Sequence, residues 1–234
     1  MSEPRLHPPR SMTTYAVRAP LARWLAEEAS RANDDLGRYR LLDVGCGSKP
    51  YEPLFAPYVE SYVGVDPVEN PLAELRGSVE ALPVGDGSFD VVLCTQVLEH
   101  CHDPAKAVSE LRRVTARGGR VLASTHGVMP YHPSPTDYWR WTHAGLEKLF
   151  RENGEWASVR VTPGSGTTAC VAMIVSINVH MFFRRLGLRL VARPLVWTLN
   201  GVAELVDSGS ARLRAPEQPG TLFANFHVVA EVPR

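Results

Sequence analysis

The segment LLDVGCGSKP, Leu41 to Pro50, decides the fold of this chain. A short apolar run enters a turn in which Gly45 and Gly47 allow the main chain to approach a ligand closely. Asp43 precedes the turn, and a second apolar run, SYVGVD, ends in Asp66 about twenty residues further on. A strand, a glycine-rich turn, a helix, a second strand and an acid in this order are typical of a nucleoside-binding α/β unit, in which the second acid binds the ribose hydroxyls.

The residues after the turn narrow the kind of nucleoside. A dinucleotide site requires a third glycine or alanine where this chain has Pro50, and no phosphate-binding GxxxxGK[ST] loop occurs in the sequence. An NAD-dependent enzyme is therefore disfavoured, and a cationic, phosphate-free nucleoside suits the site better. The DxGxG motif of residues 43–47, with Gly64-Val65-Asp66 after it, resembles the class I S-adenosylmethionine-dependent methyltransferases.

Composition limits the function further. The chain has 234 residues and a mass of 25.8 kDa, enough for one α/β domain with an appendage. Its 25 Lys and Arg balance 25 Asp and Glu, so no basic surface is offered to a nucleic acid and such a partner is not expected. The four widely spaced cysteines indicate reduced packing thiols rather than a zinc site or disulfides. The amino-terminal residues lack an apolar signal segment, so we expect a flexible tail over residues 1–18 and a cytoplasmic protein.

Apolar runs that alternate with helical segments predict a parallel, doubly wound sheet. After a helix that starts at Pro20, the expected strands are Arg40–Val44, Ser61–Asp66, Phe89–Thr95 and Arg120–Thr125. Such a sheet binds its ligands at the carboxyl ends of its strands. The resemblance implies a mostly parallel, seven-stranded, Rossmann-like methyltransferase fold.

The carboxyl-terminal third combines two further strands with an apolar insertion. Val159–Val161 reads as a sixth strand and Leu222–Val229 as a final strand, which in the family folds back antiparallel at the sheet edge. We therefore expect a methyltransferase domain over residues 19–166 and 220–234, and an apolar helical hairpin over residues 167–219. Apolar segments at 169–183 and 195–206 flank several arginines in the hairpin. It could cover the active site, form a homodimer, or lie on a membrane surface through residues 169–206.

The resemblance implies a set of cofactor-binding residues. Asp66 would bind the ribose, Gly45 and Gly47 would let the backbone approach S-adenosylmethionine, and Asp43 would position its cationic end. Residues 77–90 resemble the family segment that frames the adenine, although the usual acid is replaced by Ser78. The full expected set is Asp43, Gly45, Cys46, Gly47, Asp66, Pro67, Ser78, Val79, Glu80, Thr95, Gln96, Val97 and His100.

A histidine-rich rim could supply the chemistry. Methyl transfer to a hydroxyl needs alignment and a base. Residues 132–142 resemble an HxxPxDYxRYT segment of bacterial methyltransferases associated with surface-glycan or lipid pathways. By that resemblance His132 and Asp137 are base candidates and Arg140 an acceptor clamp, with His126 at the end of a strand as a further candidate. Alternatively, Asp137 and Arg140 form an ion pair that only holds the loop.

The segment VLEH, residues 97–100, raises an alternative. Some O-methyltransferases use an ExxEH segment with a further histidine to hold a divalent ion. Here Glu99 and His100 match, but Gln96 replaces the first acid and is a poorer ligand for a hard cation. We therefore expect no metal.

These patterns together predict a methyltransferase that acts on oxygen of a small-molecule, sugar or lipid-linked acceptor. The alternatives are a metal-dependent O-methyltransferase and a non-catalytic protein that binds the cofactor as a scaffold.

Overall fold

The computed structural model describes residues 3–234. Its strands are β1 (Tyr39–Val44), β2 (Val59–Asp66), β3 (Leu75–Arg76), β4 (Phe89–Thr95), β5 (Thr115–His126), β6 (Ser158–Pro163) and β7 (Asn225–Glu231). Its helices are α1 (Glu3–Leu6), α2 (Tyr15–Leu36), α3 (Glu52–Phe55), α4 (Pro104–Val114), α5 (His143–Glu152), α6 (Thr167–Arg185) and α7 (Arg189–Ser208). Short 3₁₀ turns occupy Leu98–His100 and Arg212–Arg214.

The strands form one seven-stranded sheet with the order β3-β2-β1-β4-β5-β7-β6. The strands from β1 to β5 pair in parallel, which confirms the expected doubly wound architecture. Successive side chains of β1 serve opposite faces: Leu42 packs in a core with α4 and α5, and Leu41 packs in a second core with α2. Both faces of the central strands are therefore buried.

The final strand differs in position from the expectation. β7 is antiparallel, but it lies between β5 and β6, so β6 forms the edge. All seven residues of β7 except Glu231 are buried, because the strand has a hydrogen-bonded neighbour on each side. The prediction that the last strand lies at the sheet edge was wrong.

The amino-terminal helix starts earlier than the sequence indicates. α2 begins at Tyr15 rather than at Pro20, which lies inside the helix. Ala16 and Val17 are buried against residues of α6, and these contacts offset the hydrogen bond that proline removes. The prediction of a flexible tail up to residue 18 is therefore wrong for residues 15–18.

The insertion is a helical hairpin, as expected, formed by α6 and α7. Asp207, near the end of α7, accepts hydrogen bonds from Thr168 N (3.0 Å) and Ala169 N (2.9 Å) at the start of α6. This contact ties the two ends of the hairpin together. Pro194 lies inside α7, which begins at Arg189.

Candidate functional site

A cavity of about 740 Å³ opens at the carboxyl ends of the parallel strands. The glycine turn, the ends of β2, β4 and β5, the loop after β5 and the start of α2 all contribute to its walls. Ten of the predicted site residues line it: Gly45, Gly47, Asp66, Pro67, Thr95, Gln96, Val97, His100, His126 and His132. The fold thus brings the predicted nucleoside-binding turn and most of the histidine rim to one cavity.

Asp66 lies at the carboxyl end of β2 and fixes the glycine turn. Its Oδ2 accepts hydrogen bonds from Gly47 N and from Asn70 Nδ2, both at 3.1 Å, and its Oδ1 accepts one from Val68 N at 3.2 Å. The carboxylate is nearly buried but borders the cavity, as a ribose-binding acid must.

Gly45 shows why the turn needs glycine. Its φ of 69° is left-handed, and a Cβ at this position would overlap Val97 Cγ2. The loops after β1 and β4 therefore approach each other as closely as backbone and side chain allow.

Two predicted cofactor residues near the turn do not line the cavity. Asp43 is buried, and its Oδ2 accepts a hydrogen bond from Tyr62 Oη at 2.7 Å. Burial raises the pKa of Asp43 to about 7, against a partial lowering by the Tyr62 hydrogen bond. Cys46 is also buried, and its sulfur lies 3.9 Å from Asn70 Nδ2. Both residues support the turn from within the protein.

The predicted adenine-framing residues likewise lie outside the cavity lining. Ser78 Oγ accepts a hydrogen bond from Glu80 N, and Val79 is buried in the core. Glu80 Oε1 accepts hydrogen bonds from His102 N (2.6 Å) and Asp103 N (3.2 Å). Glu80 is thus engaged in holding the loop before α4.

Three histidines of the rim contact one another. His132 lies between His100 and His126, with ring centroids 5.1 Å and 5.9 Å away. His100 Nδ1 lies 3.0 Å from Thr136 O, and burial lowers the pKa of His100. All three residues line the cavity, so their imidazoles are candidate contacts for a bound acceptor.

Glu99 lies behind this cluster and is completely buried. Its Oε2 accepts a hydrogen bond from Thr125 Oγ1 at 2.9 Å, and its Oε1 lies 3.4 Å from His126 Nδ1. Neither Glu99 Oε1 nor His126 Nδ1 has a hydrogen-bond partner among the described residues. Burial raises the pKa of Glu99 to about 7 and lowers the pKa of His126 to about 3, so the environment favours uncharged forms of both.

Asp137 and Arg140 adopt the loop-holding arrangement that the sequence left open. Arg140 Nη2 lies 2.7 Å from Asp137 Oδ2, and the guanidinium also donates to the carbonyls of Met129, Pro130 and Trp139. Four of the five guanidinium N–H donors are therefore used inside the loop, which leaves one N–H on Nη1 for the acceptor clamp that we expected. Asp137 also accepts a hydrogen bond from His132 N at 3.1 Å and so positions the His132 backbone.

The metal site of the ExxEH alternative would need a set of ligands that the described residues do not bring together. Gln96 Nε2 donates to Ser124 Oγ (3.0 Å) and Asn225 Oδ1 (2.9 Å), and its backbone has a left-handed φ of 57°. Among residues 3–234, no group of three or more His, Cys, Asp or Glu has the geometry to hold a metal ion.

The amino-terminal helices contribute residues that the sequence did not reveal. Arg5, Thr14, Val17 and Arg18 line the cavity. Burial of the Arg18 guanidinium lowers its pKa, and the positive charge of the nearby Arg5 lowers the pKa further, by less. In the sequence, the only sign that this segment has a functional role is its arginines, such as Arg5 and Arg18. The fold shows that the segment lines the cavity.

Comparison with known proteins agrees with this geometry. A family model described as a methyltransferase domain matches residues 42–123. The chain is 35% identical over 104 residues to the uncharacterized methyltransferase YcgJ of Bacillus subtilis, covering 38% of this chain and 41% of that protein. It is 32% identical over 120 residues to the ubiquinone biosynthesis O-methyltransferase of Pseudomonas aeruginosa, covering 44% and 48%. The matches thus span less than half the length of these relatives.

A solved structure supports the fold over a longer stretch. The 1,6-didemethyltoxoflavin-N1-methyltransferase of Burkholderia thailandensis, solved with 1,6-didemethyltoxoflavin and S-adenosylhomocysteine, matches with a TM-score of 0.52 at 15% identity. The match covers 90% of this chain and 78% of that one. Residues 42–123 thus match a methyltransferase domain, and the chain shares its fold with a methyltransferase that was solved with S-adenosylhomocysteine.

Proposed function

We propose that the protein transfers the methyl group of S-adenosylmethionine to an oxygen atom of a small-molecule, sugar or lipid-linked acceptor. The observation that carries this proposal is the single cavity that joins Asp66 and the glycine turn to the rim histidines. A nucleoside held at the turn and Asp66 would direct its sulfonium methyl along the cavity toward the rim. The rest of the cavity is open to an acceptor.

The rim offers what a hydroxyl acceptor requires. A base takes the proton from the hydroxyl, the oxygen attacks the methyl carbon, and the carbon–sulfur bond breaks as S-adenosylhomocysteine leaves with the electron pair. Alignment of oxygen, carbon and sulfur supplies much of the acceleration, and the base supplies the rest.

His132 is the favoured base within the rim. Its Nε2 lies 3.5 Å from Asp137 Oδ2, and the ring is partly exposed where it lines the cavity. A neighbouring carboxylate can orient the ring of a catalytic histidine. His126 is a weaker candidate, because burial lowers its pKa to about 3.

A scan with labelled methyl donor tests the proposal. We expect S-adenosylhomocysteine, but not NAD, to bind in calorimetry, and label to pass to a hydroxyl-bearing acceptor among phenols, sugars and lipid-linked sugars. Label found on nitrogen would contradict the oxygen proposal and leave methyl transfer intact. Cofactor binding with no transfer to any acceptor in the native extract would support the scaffold alternative.

The base assignment has its own test. His132→Ala should lower turnover by about 10²-fold or more with S-adenosylhomocysteine affinity unchanged, because the base acts only on the acceptor. His102→Ala is the matched control, since His102 is exposed and does not line the cavity. Full activity of the His132 variant would remove the base role from this residue.

A further inference from the structure

The outer surface of the α6–α7 hairpin exposes an unusual amount of apolar side chain. At its tip, defined as residues 181–195, Phe182 is 59% exposed and Leu190 75% exposed, and Met181, Leu186 and Leu188 are similarly uncovered. A soluble monomer rarely exposes so many large apolar side chains side by side. A specific partner surface is therefore expected at the tip.

The exposure continues along one face of α7. Trp197, Val202 and Leu205 are exposed, the last by 74%, while Ala192, Val196 and Ala203 on the opposite face are buried. The helix therefore has two apolar faces, of which only the inner one contacts the protein. An exposed tryptophan beside aliphatic residues is the composition found at membrane–water interfaces.

The charges at the tip have one sign. Arg184, Arg185 and Arg193 are exposed there, and none forms an ion pair with a described residue. Residues 167–203 contain no Asp or Glu. The first acids, Glu204 and Asp207, are engaged elsewhere, Glu204 with Arg10 at 2.8 Å and Asp207 as the cap of α6. The surface is thus both apolar and purely cationic.

We propose that this hairpin docks on the surface of an anionic lipid bilayer, with the apolar tip inserted among the acyl chains and the arginines paired with lipid headgroups. Anionic lipids supply the counter-charge that the hairpin lacks. A second copy of the chain would instead add arginines to arginines, because Glu204 and Asp207, the acids of α7, are already engaged with Arg10 and with the start of α6.

Docking on the surface fits the packing better than crossing the bilayer. By length and composition alone α6 could span a membrane, a test that buried helices of soluble proteins also meet. However, Cys170 and Met173 of α6 pack against Ala16 and Val17 of α2. One side of α6 is therefore covered by protein and cannot face lipid.

The hairpin is also joined to the cavity wall. Val17 and Met129 line the cavity and belong to the cluster that packs on α6. A docked hairpin would hold the cavity close to the bilayer. This placement would suit a lipid-linked acceptor. That corollary rests on the proposed function, but the docking proposal is independent of it.

Vesicle co-sedimentation of the full chain tests the docking. We expect binding to phosphatidylcholine vesicles that contain about one-third phosphatidylglycerol, weaker binding to pure phosphatidylcholine, and a decline with added salt. Arg184→Glu/Arg185→Glu should weaken binding more than about twentyfold, since each cation near an anionic surface contributes about fivefold. Leu186→Ser/Leu190→Ser should weaken it at least about tenfold.

The matched control is Arg117→Glu/Arg151→Glu. Both residues are exposed near the amino ends of β5 and β6. The hairpin follows the carboxyl end of β6, at the other end of the strands, so vesicle binding should not change. S-adenosylhomocysteine affinity reports that every variant is folded and separates this test from that of methyl transfer. Equal binding by the tip and control variants overturns the proposal. The proposal would also be overturned if the native chain did not bind vesicles but associated with itself. If Leu186→Ser/Leu190→Ser then abolished the self-association, the surface would be a dimer face.

Discussion

At the level of single residues, Asp66 combines two roles. It accepts hydrogen bonds from Gly47 N and Asn70 Nδ2, so it orders the glycine turn before any ligand arrives, and it borders the cavity with the same carboxylate. A bound ribose would find the acid already oriented. Preorganisation of this kind lowers the cost of binding.

Asp66→Asn should therefore weaken S-adenosylhomocysteine binding by more than about tenfold. An amide cannot accept from the turn and from both ribose hydroxyls, because one of its two polar atoms is a donor. Isothermal titration calorimetry measures the loss. Asp86→Asn is the control, since Asp86 is exposed on the loop before β4 and pairs only with Arg113. An unchanged affinity would exclude Asp66 from the nucleoside site.

Asp43 predicts a pH dependence of stability. Burial raises its pKa to about 7, whereas an unfolded chain has an aspartate pKa near about 3.9. The folded state therefore binds the proton more tightly, and the stability that Asp43 contributes is present below about pH 4 and is lost as the pH rises to about 7. Asp43→Asn should remove this part of the dependence, because an amide can still accept from Tyr62.

Urea unfolding at pH 4.5 and pH 7.5 measures the effect. We expect the variant to gain stability relative to the native chain at the higher pH. The same difference between variant and native chain at both pH values would show that Asp43 is ionised throughout. Glu99 titrates in a similar range, so the comparison of the two proteins, rather than the profile of either one, isolates Asp43.

At the level of elements, the glycine turn depends on close contact with the loop after β4. Gly45→Ala should destabilise the fold by more than Gly47→Ala. Both residues have left-handed backbones, which cost alanine about 1–2 kcal/mol, but only a Cβ at Gly45 would also meet Val97. Denaturant unfolding of the two variants gives the difference. Equal losses would mean that backbone conformation alone requires glycine here.

Local signals predicted the elements that carry the site. Asp103 is followed by a proline, a pattern typical of a helix start, and its side chain accepts a hydrogen bond from Lys106 N at 3.0 Å at the start of α4. Thr142 likewise accepts from Gly145 N at 3.1 Å at the start of α5. Such signals need only a few neighbouring residues, which is why they are visible in a sequence. The glycine turn and Asp66 belong to the same class.

The features that the sequence did not reveal depend on contacts between distant residues. Asp43 adjoins the glycine turn in sequence, but its side chain points to Tyr62, because strand residues alternate between faces. The place of β7 between β5 and β6 depends on pairing across the sheet, which no local pattern encodes. The commitment of Arg140 to three carbonyls depends on how the whole loop folds.

At the level of the whole molecule, the amino-terminal segment and the hairpin hold each other in place over the cavity. Asn200 of α7 is buried and donates to Arg10 O at 2.6 Å and Met12 O at 3.1 Å. Tyr15 Oη adds a hydrogen bond to Glu204 at 3.0 Å. The segment that these contacts fix leads directly into the part of α2 that lines the cavity.

Asn200→Ala should weaken S-adenosylhomocysteine binding several-fold without touching the ligand. The two lost hydrogen bonds contribute on the order of 2 kcal/mol to ordering of the segment, and binding must then restore that order. Asn178→Ala is the control, because Asn178 is exposed and its Nδ2 donates only to Ile174 O in its own helix. Calorimetry together with amide exchange of residues 10–18 measures both effects. Unaltered exchange in the Asn200 variant would contradict the linkage.

The interposed position of β7 dictates an order of assembly during synthesis. β5 and β6 are never hydrogen-bonded to each other, and the strand that joins them emerges from the ribosome only after both helices of the hairpin. Until then the nascent chain carries an unsatisfied edge on β5 and a solitary β6, two surfaces that invite wrong pairing. A cell that makes this protein must therefore protect a half-built sheet while the apolar hairpin is already outside the exit tunnel.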